Sequence, residues 1–423
     1  MTGGDYMECK LSEYNYMLTI ENTIYVYNTL CGSILKMDSQ AEYDKFLKKY
    51  EGVADADDET AAYLIENGFI VPYYVCEKQI VNNMRIKGLS ADRSNTYRIL
   101  PTMECNARCF YCYENNEKDV MDKNTADQLI KYIVDSCDNN KVAVQWFGGE
   151  PLLNVEIIDY ISNGLKKALE NNVKFSMITN GSLINHDIVN KMKHLWNIEY
   201  VQITLDGTKE EYEKRKRYIE IQNSFEKVLD NIELILKNNI KVHIRLNYDT
   251  INYVDIMNLI DMLSLRYCSY KNVVVYAHPI FGSTKCGQLN HENIDIWNKI
   301  NKKLIEVGFL EYDKFLDLNL RMIKCSACQD NSFVIVPNGS MYKCTMAINE
   351  IEERVGDVWN GITNWKTLKK WCSSDVPSDC DDCKFLPLCQ GGCKAGELGY
   401  STERCYMNDS KIEKIIKQKI MKL

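Results

Sequence analysis

Cys105, Cys109 and Cys112 form a C-x3-C-x2-C run, and the chemistry of three closely spaced thiols is metal binding. The short spacers let the three thiolates turn toward one centre without distorting the backbone. No fourth cysteine follows at the ferredoxin spacing, where the run would continue C-x3-C-P. A [4Fe-4S] cluster held here would therefore have one iron without a protein ligand, free to bind a small molecule. The alternatives are buried thiols and a zinc knuckle. Structural zinc needs four ligands, and the nearest histidine along the chain is His186.

Four short motifs accompany the cysteine run. They are Phe110-Tyr111, Trp146-Phe-Gly-Gly-Glu-Pro151, Thr179-Asn-Gly181 and Leu205-Asp-Gly207. Together with the cysteines they closely resemble the radical S-adenosylmethionine (SAM) superfamily. In such enzymes the open iron chelates the amine and carboxylate of SAM. An electron from the cluster then cleaves the sulfonium, and the resulting 5′-deoxyadenosyl radical abstracts a hydrogen atom from the substrate.

The resemblance also implies which residues contact SAM. They are Tyr111, Gly148, Gly149, Glu150, Pro151, Thr179, Asn180, Asp206, Arg245 and Leu246. By that resemblance the glycine loop with Glu150 meets the amino group, and Tyr111 lies beside the adenine. Arg245 is a candidate partner for the carboxylate. Each motif also has an ordinary interpretation, because such loops are common turns and an arginine at a strand end is often a surface charge.

Strand-like and helix-like segments alternate from residue 97 to about residue 280, which is typical of a parallel α/β fold. The apolar runs predict buried strands at 97–101, 141–147, 174–179, 200–205, 241–246 and 272–277. Helical periodicity predicts helices at 125–137, 155–169, 187–196, 225–237, 254–267 and 288–309. Six β/α units resemble the partial (β/α)6 barrel of the radical SAM superfamily. The motifs fall at the carboxyl ends of the strands, where the chemistry of such folds gathers.

A second group of cysteines lies between residues 325 and 405, and it resembles the SPASM extension of radical SAM enzymes that modify peptides. That resemblance assigns one auxiliary [4Fe-4S] cluster to Cys325, Cys328, Cys344 and Cys393. It assigns a second auxiliary cluster to Cys380, Cys383, Cys389 and Cys405. With the cluster at Cys105, these make three clusters. A pair of zinc ribbons is the alternative, because C-x2-C pairs suit zinc equally well.

The first 95 residues predict three strands (16–20, 23–28 and 31–37), two helices (39–50 and 58–67) and a short extended piece. This pattern resembles the winged-helix module that binds leader peptides in enzymes acting on ribosomal peptides, where the leader adds as a strand. A structural cap is the alternative. The cysteines of this region, Cys9, Cys31 and Cys76, are predicted to be buried thiols. The predicted domains are 1–95, 96–310 and 311–423.

Composition narrows the class of protein. The net charge of −8 and the pI of about 5.4 argue against nucleic-acid binding. The basic runs 214–217 and 411–422 are therefore predicted to be exposed faces. Neither a signal peptide nor an 18-residue apolar run is present, so no membrane segment is expected. The 18 cysteines favour metal ligation in a reducing cytoplasm over a disulfide scaffold.

These features predict a SAM-dependent maturase that forms a thioether or another cross-link in a ribosomally made precursor peptide. Its partners would be the peptide and an electron donor such as flavodoxin or ferredoxin. The runner-up is an anaerobic sulfatase-maturing enzyme, but Thr345 stands where those enzymes place a catalytic Asp. A non-catalytic metal scaffold is the third possibility. The catalytic base remains open among Asp206, Glu211, Tyr342 and others.

Overall fold

The computed structural model describes residues 8–51, 54–55, 59–90, 94–114, 118–137, 141–280, 291–316, 318–401, 404–405 and 409–422. The strands are β1 (Glu8–Leu11), β2 (Asn15–Ile20), β3 (Thr23–Asn28), β4 (Ile34–Met37), β5 (Ala54–Asp55), β6 (Ile70–Pro72), β7 (Asn95–Ile99), β8 (Val142–Trp146), β9 (Val173–Thr179), β10 (Ile198–Leu205), β11 (Lys241–Tyr248), β12 (Val273–Pro279), β13 (Ser332–Ile335), β14 (Ser340–Tyr342), β15 (Gly356–Asp357) and β16 (Gly361–Ile362).

The helices are α1 (Gln40–Tyr50), α2 (Glu59–Glu66), α3 (Glu77–Ser90), α4 (Lys123–Asp135), α5 (Val155–Leu169), α6 (His186–Asn190), α7 (Lys209–Lys216), α8 (Ser224–Lys237), α9 (Tyr253–Tyr267), α10 (His291–Glu306), α11 (Tyr312–Phe315), α12 (Trp365–Cys372), α13 (Leu386–Cys389), α14 (Lys394–Glu397) and α15 (Asp409–Lys422). Across the described residues, none of these helices is long and apolar enough to cross a membrane.

Six parallel strands, β7 to β12, lie side by side in chain order and form most of a ten-stranded sheet. The predicted α/β fold with six β/α units is confirmed. The strands do not close into a full barrel, because β7 pairs with β13 on its free side instead of with β12. The sheet then continues through β14, β15 and β16 in antiparallel pairs.

One side of the parallel strands faces the helices, and the other side faces the interior of the half-barrel. In β8 burial alternates along the strand, and Val142, Val144 and Trp146 enter the main core. The Trp146 ring stacks on Phe175 of the next strand, with 6.1 Å between the ring centroids. Polar residues such as Gln145 occupy the alternate positions, so they point into the interior. Because successive side chains of a strand point to opposite faces, only every second residue can reach the site.

The N-terminal region contains two three-stranded sheets, β5-β1-β6 and β2-β3-β4, together with α1, α2 and α3. Strands β2 and β3 and helix α1 lie where the alternation of the sequence predicts them. Strands β1 and β5 and helix α3 were not predicted. Cys9 is buried as expected, but the prediction of buried thiols is wrong for Cys31 and Cys76, which are exposed.

Helix α15 corrects the prediction of an exposed face at residues 411–422. Its isoleucines Ile412, Ile416 and Ile420 recur every four residues and are buried against Leu18, Tyr27, Phe385 and Leu388. The many lysines of this helix conceal a narrow apolar stripe, which covers the sheet of the N-terminal region. The hydroxyl of Tyr16 also donates to the Glu413 carboxylate at 3.0 Å. Helix α15 therefore packs against the N-terminal region.

This packing can be tested by truncating one isoleucine. Ile416 is fully buried, whereas Met421 of the same helix is 70% exposed. We expect Ile416→Ala to lower the free energy of unfolding by about 2–5 kcal/mol, because it removes apolar contacts and leaves a cavity. The control Met421→Ala should change it by about 0.5 kcal/mol or less. Equilibrium urea unfolding measures both variants, and equal values for the two would contradict the packing.

Candidate active site

A cavity of about 530 Å³ opens at the carboxyl ends of the six parallel strands. This volume lies within the range of small-molecule sites. Its lining includes the three cysteines of the C-x3-C-x2-C run. Of the residues predicted to contact SAM, the cavity is also lined by Tyr111, Gly148, Gly149, Thr179, Asn180 and Arg245. The other four, Glu150, Pro151, Asp206 and Leu246, are buried behind this lining.

The two glycines after β8 let the cysteine loop pack closely against that strand end. A Cβ atom on Gly149 would lie 2.2 Å from the carbonyl oxygen of Glu104, and one on Gly148 would lie 2.5 Å from that of Thr102. Gly148 also has φ near +112°, which a side chain disfavours. The sequence predicted that these glycines admit a ligand. In the structure they also admit the backbone that precedes Cys105.

Glu150 ties three segments together. Its side chain is fully buried, and it accepts hydrogen bonds from Thr179 Oγ1 at 2.7 Å and from the Asn180 amide at 2.8 Å. The backbone amide of Glu150 donates to the carbonyl of Glu104 at 2.9 Å, which holds the cysteine loop. Burial raises the pKa of Glu150 to about 7, although the hydrogen bonds from Thr179, Asn180 and Leu152 act in the opposite direction.

The cysteine loop is also held by side chains at the end of β9. Asn180 Nδ2 donates to Asn106 Oδ1 at 2.7 Å, and Asn106 Nδ2 donates to Ser182 Oγ at 2.9 Å. On its other side the loop pairs with the segment after α7, because the Arg108 amide donates to the carbonyl of Lys216 at 3.0 Å. The loop is therefore bonded by the residues after β9 on one side and by the carboxyl end of α7 on the other.

Lys216 corrects the prediction that residues 214–217 form an exposed face. Its side chain is only 5% exposed, and its Nζ lies 3.3 Å from Asp206 Oδ2. It also donates to the Tyr111 hydroxyl at 2.7 Å, and that hydroxyl donates to Asp206 Oδ2 at 2.7 Å. Burial by itself would lower the pKa of Lys216, but Asp206, Tyr111, Cys109 and Tyr212 together outweigh burial and the pKa is raised. The charged amine therefore stays at the cavity wall.

Arg215 explains why this basic segment turns inward. It is 4% exposed, and its guanidinium makes two hydrogen bonds to Asp249, at 2.8 and 3.2 Å. It also pairs with Glu211 one turn earlier and lies 5.1 Å from the ring centroid of Phe110. These contacts fasten the end of α7 beside the cysteine loop. Of its two acidic partners, Glu211 is local in the sequence, whereas Asp249 is 34 residues away along the chain.

Comparison with known proteins agrees with this geometry. Residues 99–263 match the family model described as the radical SAM superfamily. This chain therefore contains a radical SAM domain. The matched residues contain the cysteine loop and strands β8 to β11, which supply most of the cavity lining. The lining residues outside the match are Arg98, His278, Ile280, Thr345 and Met346.

Three relatives illustrate the similarity. The cysteine-type anaerobic sulfatase-maturating enzyme of Clostridium novyi is 25% identical over 69% of this chain and 85% of its own length. The structure of anSMEcpe with bound AdoMet has a TM-score of 0.59 and 19% identity, covering 71% of this chain and 86% of that one. Streptococcus suis SuiB bound to the precursor peptide SuiA has a TM-score of 0.53 and 15% identity, covering 92% and 97%.

The cavity suits the SAM and iron–sulfur cluster of a radical SAM enzyme. Three thiols line one wall, and the cations Lys216 and Arg245 line other parts of it, which suits a ligand that carries a carboxylate. Burial, and secondarily Glu150, raises the pKa of Cys105 to about 12 in the metal-free protein. Because a metal binds the thiolate, cluster insertion would release protons from this loop.

Several residues of the cavity were missed by sequence reasoning. Arg98, Gln145 and His278 lie on its wall, and Glu114 follows the cysteine loop. Burial, together with Arg245, lowers the pKa of His278 to about 3, so this ring is neutral near pH 7. Burial raises the pKa of Glu114 to about 7. In the sequence, Arg98, Gln145 and His278 are polar residues that interrupt otherwise apolar strands. Many surface strands have the same pattern, so the pattern does not identify a site.

Some cysteines of the second group lie near others of the set to which the resemblance assigns them. The Sγ atoms of Cys325 and Cys328 are 3.9 Å apart, and this contact lowers the pKa of Cys325. Burial raises the pKa of Cys344 to about 11, with Cys325 and Cys393 acting in the same direction. Within the described residues, no three His, Cys, Asp or Glu side chains are placed to hold a single metal ion. The ligand role of each set remains a prediction.

The buried Glu150 carboxylate gives a first prediction for the site. In Glu150→Gln an NH2 group replaces one acceptor oxygen, so a donor of Thr179 or Asn180 faces another donor. A buried donor without an acceptor costs about 1–3 kcal/mol. We expect the affinity of the reconstituted protein for SAM to fall about tenfold, which corresponds to about 1.4 kcal/mol. Equilibrium dialysis measures this, with the exposed Glu156→Gln as control. Equal affinity in both variants would contradict the role of Glu150.

The buried Lys216 gives a second prediction. Lys216→Met leaves the Asp206 carboxylate buried without its cation, and we expect a loss of about 3–5 kcal/mol in the free energy of unfolding. The neighbouring Lys214 is 72% exposed, so Lys214→Met should change this free energy by about 0.5 kcal/mol or less. Urea unfolding of the metal-free protein checks both. A loss in Lys216→Met no larger than in Lys214→Met would show that the ion pair is not needed.

Proposed function

We propose that this enzyme modifies a peptide by radical chemistry, using SAM held in the cavity at the strand ends. The observation that carries the proposal is the meeting of Cys105, Cys109 and Cys112 with Lys216 and Arg245 on one cavity of sufficient volume. The cluster would supply the electron that cleaves bound SAM, and the radical formed would abstract a hydrogen atom from the substrate.

The residues of the chain bind and orient SAM in this proposal. Lys216 and Arg245 attract its carboxylate by charge. The Gly148-Gly149 backbone offers close approach to its amino group, and Glu150 holds that loop in place. Tyr111 is fixed by hydrogen bonds from Lys216 and Asn247, so its ring is a rigid wall for the adenine. Pre-positioned groups of this kind reduce the entropy lost on binding.

The auxiliary cysteines would hold two further [4Fe-4S] clusters, which makes three in all. The loop after Cys344 supports a functional link, because Thr345 and Met346 line the SAM cavity. A substrate radical must lose an electron to give an oxidised product, and a cluster held beside the cavity would accept it. A flavodoxin or ferredoxin would supply the electron for the first step.

The N-terminal region would bind the leader of the precursor peptide. Strand β4 pairs only with β3 among the described residues, so its other edge can accept an added strand. The SuiB structure, which covers 92% of this chain, was solved with its precursor peptide. The favoured product is a thioether or another cross-link in that peptide.

The second candidate function is sulfatase maturation, in which a Ser or Cys is oxidised to formylglycine. The relative from Clostridium novyi favours it. Against it, Thr345 occupies the position of the catalytic Asp expected in those enzymes. Thr345 is buried, and it shares a hydrogen bond with Tyr113. A hydroxyl there does not replace a carboxylate base.

The proposal predicts that SAM cleavage depends on the cysteine loop. After anaerobic reconstitution and reduction, the wild-type protein should release 5′-deoxyadenosine and Cys109→Ala should release none above background, because the cluster loses a ligand. Cys268 is an exposed thiol outside all three sets, so Cys268→Ala should behave as wild type. Chromatography of the quenched reaction measures the product. Undiminished cleavage in Cys109→Ala would overturn the proposal.

The substrate class is decided by offering two peptides to the active enzyme. One is a cysteine-containing precursor peptide encoded beside this protein, and the other carries a sulfatase modification site. Mass spectrometry should show the precursor losing two hydrogens while it keeps its sulfur. Formylglycine in the sulfatase peptide, with no change in the precursor, would establish the second candidate instead.

A further inference from the structure

The second auxiliary cysteine set lies against the N-terminal region. Cys380 and Cys383 pack on a small cluster formed by Tyr14, Val81 and Leu386. Val81 belongs to α3, and Tyr14 precedes β2, so two of these three residues come from the N-terminal region. The metal-binding loop of one part of the chain is thus covered by residues that are some 300 positions away in the sequence.

Polar contacts clamp this loop onto the N-terminal region. Lys78 of α3 pairs with Asp382 at 2.6 Å. Lys384 Nζ donates to the carbonyl of Glu13 at 2.8 Å, and the Thr29 hydroxyl donates to the carbonyl of Lys384. The contacts flank Cys383 on both sides. The loop is therefore held at a fixed distance from α3.

Arg85 lies one turn after Val81 on α3 and is only 7% exposed. Its Nη2 donates to Asn82 at 2.9 Å, but its Nε and Nη1 have no hydrogen-bond partner among the described residues. Burial lowers the pKa of Arg85, while Tyr14, Asp375, Asp381 and Cys380 act in the opposite direction. A guanidinium is not deprotonated in proteins, so a buried cation with two unused donors lies one helical turn from Val81, which belongs to the cluster on which Cys380 and Cys383 pack.

Tyr14 shows the same feature. It is 3% exposed, and its hydroxyl has no hydrogen-bond partner in the described part of the chain. Its electrostatic neighbours include Arg85 and Cys383. Buried donors without acceptors are rare in folded proteins and require an explanation. Here three such donors lie on two residues: Tyr14 belongs to the cluster on which Cys380 and Cys383 pack, and Arg85 is one helical turn from Val81 of that cluster.

The cysteine set itself is compact. Burial raises the pKa of Cys405 to about 11, and Cys389, Cys383 and Cys380 add to the effect. Arg404 approaches from within the same region, with Nη1 3.8 Å from Cys380 Sγ. Sulfur atoms are hydrogen-bond acceptors, and hydrogen bonds and nearby charge set the reduction potential of iron–sulfur clusters.

We propose that Arg85 and Tyr14 donate hydrogen bonds to the sulfur atoms of the cluster held by Cys380, Cys383, Cys389 and Cys405. The N-terminal region thereby raises the reduction potential of that cluster, because a buried cation stabilises the added electron. This inference rests on the proposed function for the presence of the cluster. It adds a role for residues outside the cysteine-rich region.

The test uses the full chain with Cys105, Cys109 and Cys112 changed to alanine, so that only the auxiliary clusters remain. Redox titration followed by electron paramagnetic resonance should give two one-electron transitions. In this background Arg85→Gln should disfavour reduction of one cluster about tenfold, a shift of about 59 mV to more negative potential for a one-electron couple. The other transition should not move.

Further variants separate charge, hydrogen bonding and folding. Tyr14→Phe should shift the same transition in the same direction by less, because it removes a neutral donor. Arg85→Lys keeps the charge and should lie between Arg85→Gln and the parent. Lys87 is an exposed residue of the same helix, so Lys87→Gln controls for net charge and should shift neither transition.

Two outcomes overturn the inference for different reasons. If the parent contains iron for two clusters and neither potential moves in Arg85→Gln or Tyr14→Phe, Arg85 and Tyr14 do not contact the cluster, while the proposed function stands. If the parent contains iron for one auxiliary cluster only, the second cluster of the proposed function is absent and the inference fails with it.

Discussion

The mouth of the half-barrel depends on the carboxylate of Glu150. The carboxylate accepts hydrogen bonds from Thr179 and Asn180 at the end of β9. The backbone amide of Glu150 donates to Glu104, which precedes Cys105. Gly148 and Gly149 allow this approach because a side chain at either position would collide with the cysteine loop. A loop of three thiols has little regular structure of its own, so these neighbours must hold it. Removing water from Glu150 costs energy, and the hydrogen bonds offset that cost.

Buried polar contacts also hold the other side of the cavity. Asp206 at the end of β10 is fully buried and pairs with Lys216, and both contact the hydroxyl of Tyr111. Parallel strands bring their carboxyl ends to one edge, so groups separated by a hundred residues meet there. Asp206 and Lys216 belong to one β/α unit, whereas Tyr111, which both contact, comes from another. The fold and the chemistry of the site are therefore stabilised by the same contacts.

Much of this arrangement could be predicted from local patterns in the sequence. Apolar runs and helical periodicity located the six parallel strands, and spacing identified the cysteine loop. Lys216 could not be found in this way, because its run of basic residues looks solvated until Asp206 and Tyr111 are brought beside it by the fold. Helix α15 was misjudged for a related reason, since its lysines hide a stripe of isoleucines. The burial of Lys216 and of helix α15 depends on partners that are distant in the sequence. Periodicity along the chain does not identify such partners.

The central claim is that the loop of Cys105, Cys109 and Cys112 holds a cluster with one iron open to SAM. Electron–nuclear double resonance of the reduced protein tests it directly, with SAM labelled by 17O in the carboxylate and 15N in the amine. The account predicts hyperfine coupling between both labels and the cluster. An intact, reduced cluster that binds SAM but shows no coupling to either label would contradict it.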